Sequence, residues 1–311
     1  MKEGINGSLK VRKPSTKIME KGSKTRKKSI KSRLIISYVL FAAIPLLIVN
    51  MVASGRFTTT LRNTSKQLTT EMVKQARSNL NYFTNDIQKN VSKFILNSLH
   101  DTSNNLLNKY ISAEDSNKKM AALNDIRKLL AGITAIEKNI SGAMIVQKDG
   151  TVLGTVGTLS EEEKKAFGTL EVSKDGLWYR DGKDNIYYLQ AIKNSLTGQD
   201  NGYFVAGVNM EALEDDLVNI ELFNGANVYA VDEKNTILCG KSPETLSDAL
   251  NTLLATKEEV RSEIVNKTLY AYATSDNGWK IIAEIPEAAL TSSVKSVNLL
   301  VWGLVSIIAI L

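Results

Sequence analysis

Twenty consecutive residues, Leu34 to Ala53 (LIISYVLFAAIPLLIVNMVA), carry no charge. A helix rises about 1.5 Å per residue, so this stretch spans about 30 Å, the depth of a bilayer's hydrocarbon core. Core helices of water-soluble domains keep a polar stripe. Here the polar members Ser37, Tyr38 and Asn50 share no single face. The stretch is read as a transmembrane helix at 34–53, with Pro45 a kink that a membrane helix tolerates.

Charge supports that reading. The net +6 is unevenly placed. Residues 1–33 hold 12 Lys/Arg and two acids, a local +10, and the remaining 278 residues hold 27 Lys/Arg and 31 Asp/Glu, a net −4. Lys24, Arg26, Lys27, Lys28, Lys31 and Arg33 stand next to the span, where positive charge holds a chain end in the cytoplasm. The tail has no aromatic residue to stack on a base, so nucleic acid is not the expected partner. Residues 1–23 lack apolar periodicity and are expected to be disordered. A cleaved signal peptide has a shorter charged leader and an apolar region of about 7–15 residues, so the span reads as an uncleaved signal anchor.

The chain has one cysteine, Cys239, and one histidine, His100. No intramolecular disulfide is possible, and no metal centre of clustered His and Cys. A Ser-His-Asp or Cys-His arrangement would need His100, which sits in a polar helical run. Asp215 and Asp216 beside Glu214 read as a solvated helix face. The chain is therefore expected not to be an enzyme and to need no cofactor.

From Phe57 the apolar residues fall at helical spacing: Phe57, Leu61, Leu68, Met72, Ala76, Leu80, Phe83, Ile87, Val91, Phe94, Leu99, Leu106 and Tyr110. The pattern predicts a long stalk helix, its stripe set against a domain or against a second copy of the chain. Two core helices broken near Ser98–Asn105 give the same pattern. Another helix is expected over Asn117–Ile136.

The period then switches to two. Residues 142–154 read as a hairpin turning at Asp149-Gly150. Ser160 to Glu163 opens a short helix, with Ser160 as its cap. Strands are expected at Leu177–Arg180, Ile186–Lys193 and Tyr203–Val208, with turns at 181–184 and 198–202. A helix follows at Met210–Asn219. The pattern then repeats: a hairpin over Asn227–Gly240, a helix at Pro243–Leu254, strands at Glu263–Thr274 and Trp279–Ile285, and a helix at Glu287–Asn298. Each half reads as an antiparallel sheet with helices on one side. The last residues, Val297–Leu311 (VNLLVWGLVSIIAIL), carry no charge and read as the start of a second transmembrane helix, cut short.

A basic tail, a span with IPLLI, a long helix, two tandem hairpin-bearing modules and a second apolar helix resemble, in that order, the N-terminal half of a methyl-accepting chemotaxis protein, a bacterial chemoreceptor. The modules are similar to a double Cache sensor domain with its PAS-like fold. The passages that carry the likeness are GYFVAGVNMEALEDDL (202–217), NVYAVDEKNTILCG (227–240) and SDNGWKIIAEIPEAAL (275–290).

The resemblance implies an α+β chain. Its parts would be a cytoplasmic tail (1–33), a first span (34–53), extracellular stalk helices (54–138), a membrane-distal Cache module (139–220), a membrane-proximal one (221–296) and a truncated second span (297–311). It implies a multi-pass protein of the cell membrane with residues 54–296 outside, a small-molecule ligand in the distal module, a homodimer, and cytoplasmic signalling proteins as partners.

Amino-acid-binding members carry Arg-x-Trp-Tyr, a Tyr-x-Asp and a strand-end Asp. Here Trp178-Tyr179 matches the aromatic pair, Gly176 stands at the Arg position, Asn209 stands at the strand-end Asp, and the Tyr-x-Asp segment has no clear counterpart. An α-carboxylate would lose its Arg clamp and an ammonium its carboxylate. By residue type, the expected ligand contacts are Trp178, Tyr179, Arg180, Tyr187, Tyr188, Lys193 and Asn209. Strand alternation forbids Tyr187 and Tyr188 from both facing one pocket. Trp279 is expected in the core of the proximal module. A sensor histidine kinase, a diguanylate cyclase, or an anchored partner-binding protein would use the same layout.

Overall fold

The computed structural model describes residues 30–99, 105–156, 166–167, 170–173, 175–181, 185–193, 198, 200–218 and 225–310. The basic tail before Ile30, His100, the helix expected at Ser160–Glu163, and parts of the turns at 181–184 and 198–202 lie outside the described residues.

The chain divides into two compact units, Met1–Val52 with Leu300–Leu311, and Ala53–Leu299. In the first, the described residues are helical. The most apolar window of the N-terminal helix is only 6% buried, which is not how a core helix sits. It is the one helix among the described residues that is long and apolar enough to cross a membrane.

The second unit holds both modules. Helix α1 (Ile30–Phe94) enters it at Ala53 and ends in a π-helical turn at Ile95–Leu99, which overlaps at Ser98–Leu99 the region where a break was one of the two expectations. Its buried positions, Met72, Val73, Ala76, Leu80, Phe83, Ile87, Val91, Ile95 and Leu99, recur at steps of three and four. The stripe is covered by the chain's own sheets. Met72 and Val73 lie on Ala271, Ala273 and Ala283, whose small side chains let the helix approach closely. Ala76 to Leu99 join the main core. Each large side chain so buried contributes about 1.5–3 kcal/mol. From Met72 onward the stripe is thus covered within one chain, while Phe57 and Leu68 of the same stripe stay exposed.

Polar contacts pin α1 to both modules. Thr70 bonds Ser262 at 2.8 Å, Asn81 accepts from the Asp276 amide at 3.0 Å, Asp86 accepts from Asn139 at 2.9 Å and Ser92 donates to Gln190 at 2.9 Å. Helices α2 (Leu106–Ile111) and α3 (Ser116–Ile136) follow. Asp115 caps α3 by accepting from Asn117 N at 2.8 Å.

The first module is a five-stranded sheet of β1 (Ile140–Val146), β2 (Val152–Val156), β3 (Leu177–Arg180), β4 (Ile186–Lys193) and β5 (Asp200–Val208), closed by α4 (Met210–Val218). The second has β6 (Asn227–Val231), β7 (Ile237–Gly240), α5 (Asp248–Leu254), β8 (Val260–Val265), β9 (Thr268–Thr274) and β10 (Lys280–Pro286), then α6 (Glu287–Leu290) and α7 (Ser292–Ile310). The spatial orders, β2-β1-β5-β4-β3 and β7-β6-β10-β9-β8, are the same topology twice, and every pairing is antiparallel. The expected repeat is present.

Three details differ from expectation. The single strand expected over Glu263–Thr274 is the hairpin β8–β9, turning at Asn266 and Lys267 with φ of 50° and 63°. The helix expected from Pro243 starts at Asp248, capped by Ser247. Helices also cover both faces of the second sheet. Helix α1 lies on the alanine face, and α5 lies on the other through Leu250, Leu253 and Leu254 against Tyr229, Tyr272 and Ile282.

Candidate ligand site on the first module

Strand alternation divides the aromatic cluster of β3 and β4. Tyr179 pairs with Tyr187, and Trp178 pairs with Tyr188, one residue out of phase. Successive side chains of a strand point to opposite faces, so the two pairs lie on opposite sides of the sheet.

The face of Tyr179 and Tyr187 is turned away from α1. Phe167 lies against both rings edge to face, with centroids 5.5 Å and 5.1 Å away. Met144, Val146, Leu189 and Val205 complete an apolar floor, with Leu170 and Val172 packed against it. At its edge is Asp181, buried to 8% exposure. Its carboxylate accepts from the Asn185 amide and from Asn185 Nδ2, both at 2.8 Å, and from the Tyr187 hydroxyl at 3.3 Å. This face combines flat apolar rings, a hydroxyl fixed in direction, and a buried carboxylate. Its members are closely packed, with Phe167, Leu189 and Val205 fully buried.

The opposite face is built for packing. Tyr188 is buried, and its hydroxyl donates to the Asp175 carbonyl at 3.0 Å. Burial, with the charge of Asp175, pushes its phenol up to about 12. Gly176 crosses over that ring. Its φ is +87°, and a Cβ there would lie 2.2 Å from the Tyr188 hydroxyl oxygen. No side chain fits at the position where the resemblance places an arginine. Trp178 packs on Tyr188 and on Trp279 of the second module, both centroids 5.0 Å away. Arg180 reaches Asp232 of the β6–β7 turn at 3.9 Å. Beside these contacts is a cleft of about 370 Å³ between the modules, whose lining includes Trp178, Tyr179, Arg180, Asp232, Glu233 and Trp279.

Lys193 and Asn209 belong to neither cluster. Lys193 is the last residue of β4, beyond a register shift, opposite Asp200. Asn209 opens α4. Its Oδ1 accepts from Ala212 N at 3.4 Å, and its Nδ2 donates to the Lys138 carbonyl at 2.9 Å. Trp279 is buried at 4% exposure, as expected of a core residue, but its ring also serves the joint between modules. Sequence reasoning passed over Asp181 and Phe167. Asp181 falls in the turn expected at 181–184, although alternation from Tyr179 puts it on the same face. Phe167 carries no local signal. Among the described residues no cluster of three His, Cys, Asp or Glu could hold a metal ion.

Comparison with known proteins agrees with this architecture. No match was found among the curated proteins. Solved structures of the same fold include the sensory domain of the Campylobacter jejuni chemoreceptor Tlp3 with isoleucine bound. It has 16% identity and a TM-score of 0.52, and the match covers 75% of this chain and 97% of that one. The Tlp3 ligand-binding domain in complex with L-valine is similar at 15% identity and a TM-score of 0.51, again covering 75% and 97%. The extracellular domain of the putative histidine kinase vpHK1S-Z8 is similar at 12% identity and a TM-score of 0.54, with the same coverages. A family model for the Cache domain, dCache_1, matches residues 57–294, a span that takes in α1 beyond the apolar stretch and both sheets. The chain belongs to the Cache domain family.

Proposed function

We propose that this chain is the sensor portion of a transmembrane chemoreceptor, which binds a small extracellular ligand on the aromatic face of the first module and passes a helix shift across the membrane to a cytoplasmic signalling domain. The observation that carries the reading is that face: Tyr179, Tyr187 and Phe167 with the buried Asp181, in a chain of the Cache family. Of the residues expected from sequence, Tyr179 and Tyr187 are the direct contacts. Trp178, Arg180 and Tyr188 act from behind the sheet, and Lys193 and Asn209 act from its ends. The Tlp3 structures favour a small polar molecule with an apolar body as the ligand class. Gly176 and Asn209 argue against an α-amino acid held by the usual clamp, since neither can supply its charge.

Membrane crossing at 34–53 and again along α7 is part of the same reading. It is supported by the open apolar window of α1 and by Asn298, at the beginning of the second apolar segment, which donates at 2.9 Å to Ser54, the residue just past the end of the first. The distal module is then the first and the proximal module the second, with residues 54–296 outside the cell and the basic tail inside. Packed helices move between discrete arrangements, so α1 and α7 are suited to carry a signal. A homodimer would use the apolar side chains that α1 leaves exposed beyond the first span, Phe57, Leu68 and Tyr82, with Leu96 of the π-helical turn. Chemotaxis is the favoured output because of the chemoreceptor-like order of elements. The similarity to the extracellular domain of a putative histidine kinase keeps a sensor histidine kinase, or a diguanylate cyclase, as the second reading.

The test is thermal unfolding of the full chain in nanodiscs against a broad panel of small polar molecules. The reading expects at least one to raise Tm, since binding to the folded state alone at about 100 times Kd adds about 2.7 kcal/mol. A panel with no shift counts against it.

A further inference from the structure

Strand β3 serves two masters. Tyr179, and Asp181 just past the strand's end, face the candidate ligand site, while Trp178 and Arg180 face the second module. Alternation makes these two sets rigidly linked, because one backbone carries both. The contacts on the far side are Trp178 against Trp279 at 5.0 Å and Arg180 to Asp232 at 3.9 Å.

Trp279 is not a passive neighbour. It follows the turn Ser275-Asp276-Asn277-Gly278, whose Asp276 amide donates to Asn81 of α1. It also immediately precedes β10, which runs directly into α6, with Thr291 alone between α6 and α7. A displacement of the Trp279 ring is therefore applied where α1 is pinned and at the start of the strand that ends on the C-terminal helix.

This joint is also poorly sealed. The Trp178 indole N–H is buried and finds no acceptor among the described residues. An unmade bond of that kind weakens the closed arrangement relative to any other in which the donor is met. The cleft of about 370 Å³ alongside leaves room for the rings to shift without a clash. Its charged rim holds Arg180 and Lys234 against Asp232 and Glu233. The signs cancel, so the rim selects no ligand charge, and the cleft acts as free volume at a movable contact. Among the described residues the central side chains of β1, β5, β6 and β10 are buried.

We propose that β3 is the transmission strand of this sensor, and that the Trp178–Trp279 contact with the Arg180–Asp232 pair is the switch through which the state of the first module reaches the second. The inference rests on the reading that the Tyr179 and Tyr187 face holds the ligand, but its test needs no ligand.

The experiment uses the full chain in nanodiscs with Trp302→Phe, which leaves Trp178 and Trp279 as the only fluorophores of their kind. Asp181→Asn disturbs the ligand face at the end of β3. The expected result is a shift in tryptophan emission and a several-fold faster amide exchange in 227–240 and 275–286 of the second module. Combining Asp181→Asn with Trp178→Leu should reduce that second-module change to less than about twofold, while combining it with Trp178→Phe, which keeps a ring at the contact, should restore it. A merely structural tryptophan would loosen the protein without removing this dependence. The proposal is overturned if Asp181→Asn leaves the second module unchanged, or if its effect there is the same with Trp178→Leu as with Trp178 in place.

Discussion

Gly176 decides more at the residue scale than any charged group near the site. Its positive φ and the Tyr188 ring beneath it leave no room for a Cβ. Gly176→Ala is expected to cost about 2–4 kcal/mol through backbone strain and overpacking together, read as a lower urea midpoint at unchanged slope. Gly176→Arg should do at least as much harm and should not create amino-acid binding. Tyr188 gives a second prediction. Its phenol titrates near 12 in the folded chain against 10.0 when unfolded. Above the lower value the unfolded chain releases a proton that the folded chain keeps, so stability is whole below about pH 10 and declines as pH rises towards about 12. Cys239, pushed up to about 12 by burial and by Glu214, acts in the same direction from its own ordinary value of 9.0. Tyr229, raised by burial and by its bond to Glu284, does so too. Urea midpoints should therefore fall between about pH 8 and about pH 11, and fall less in Tyr188→Phe.

At the scale of elements, α4 shows why an expected ligand residue has another task. Asn209 holds the first turn of α4 and ties it to Lys138, so Asn209→Ala is expected to cost about 1 kcal/mol in denaturant unfolding. Asn209→Asp keeps the cap acceptor and loses the Lys138 bond, and should cost less. Sequence pattern placed β3 and β4 at their observed bounds because alternation is strict there and the flanking turns are rich in Gly and Asp. It merged β8 with β9 because their turn uses Asn266 and Lys267 at positive φ, with no Gly or Pro to announce it. The spacing along α1 marks the buried face from Met72 onward, although Phe57 and Leu68 of the same stripe are exposed, and it does not say what covers that face, since periodicity shows a stripe and not its partner. The split of Trp178 from Tyr179 was legible in the same way, while the meeting of Trp178 with Trp279 was not. That contact joins residues about a hundred positions apart, and nothing local encodes it.

For the whole molecule, the duplicated sheet order and the Cache family match describe a sensor of two modules on one helix. The proposed topology places Cys239 outside the cell. Its thiol is held protonated and half-buried, so an impermeant maleimide should react slowly with intact cells and quickly after unfolding at the cell surface. Labelling only after cells are opened would reverse the topology. The claim at the centre, that the Tyr179 and Tyr187 face of the first module holds a small molecule, is tested most directly by calorimetric titration. The compound that most raises Tm of the full chain is titrated into the wild-type protein and into Tyr187→Leu, whose folded state is checked by its own unfolding curve. The account predicts saturable 1:1 binding per chain in the wild type and at least about a tenfold loss of affinity in the variant, the equivalent of about 1.4 kcal/mol. Equal affinity in the two proteins would contradict it.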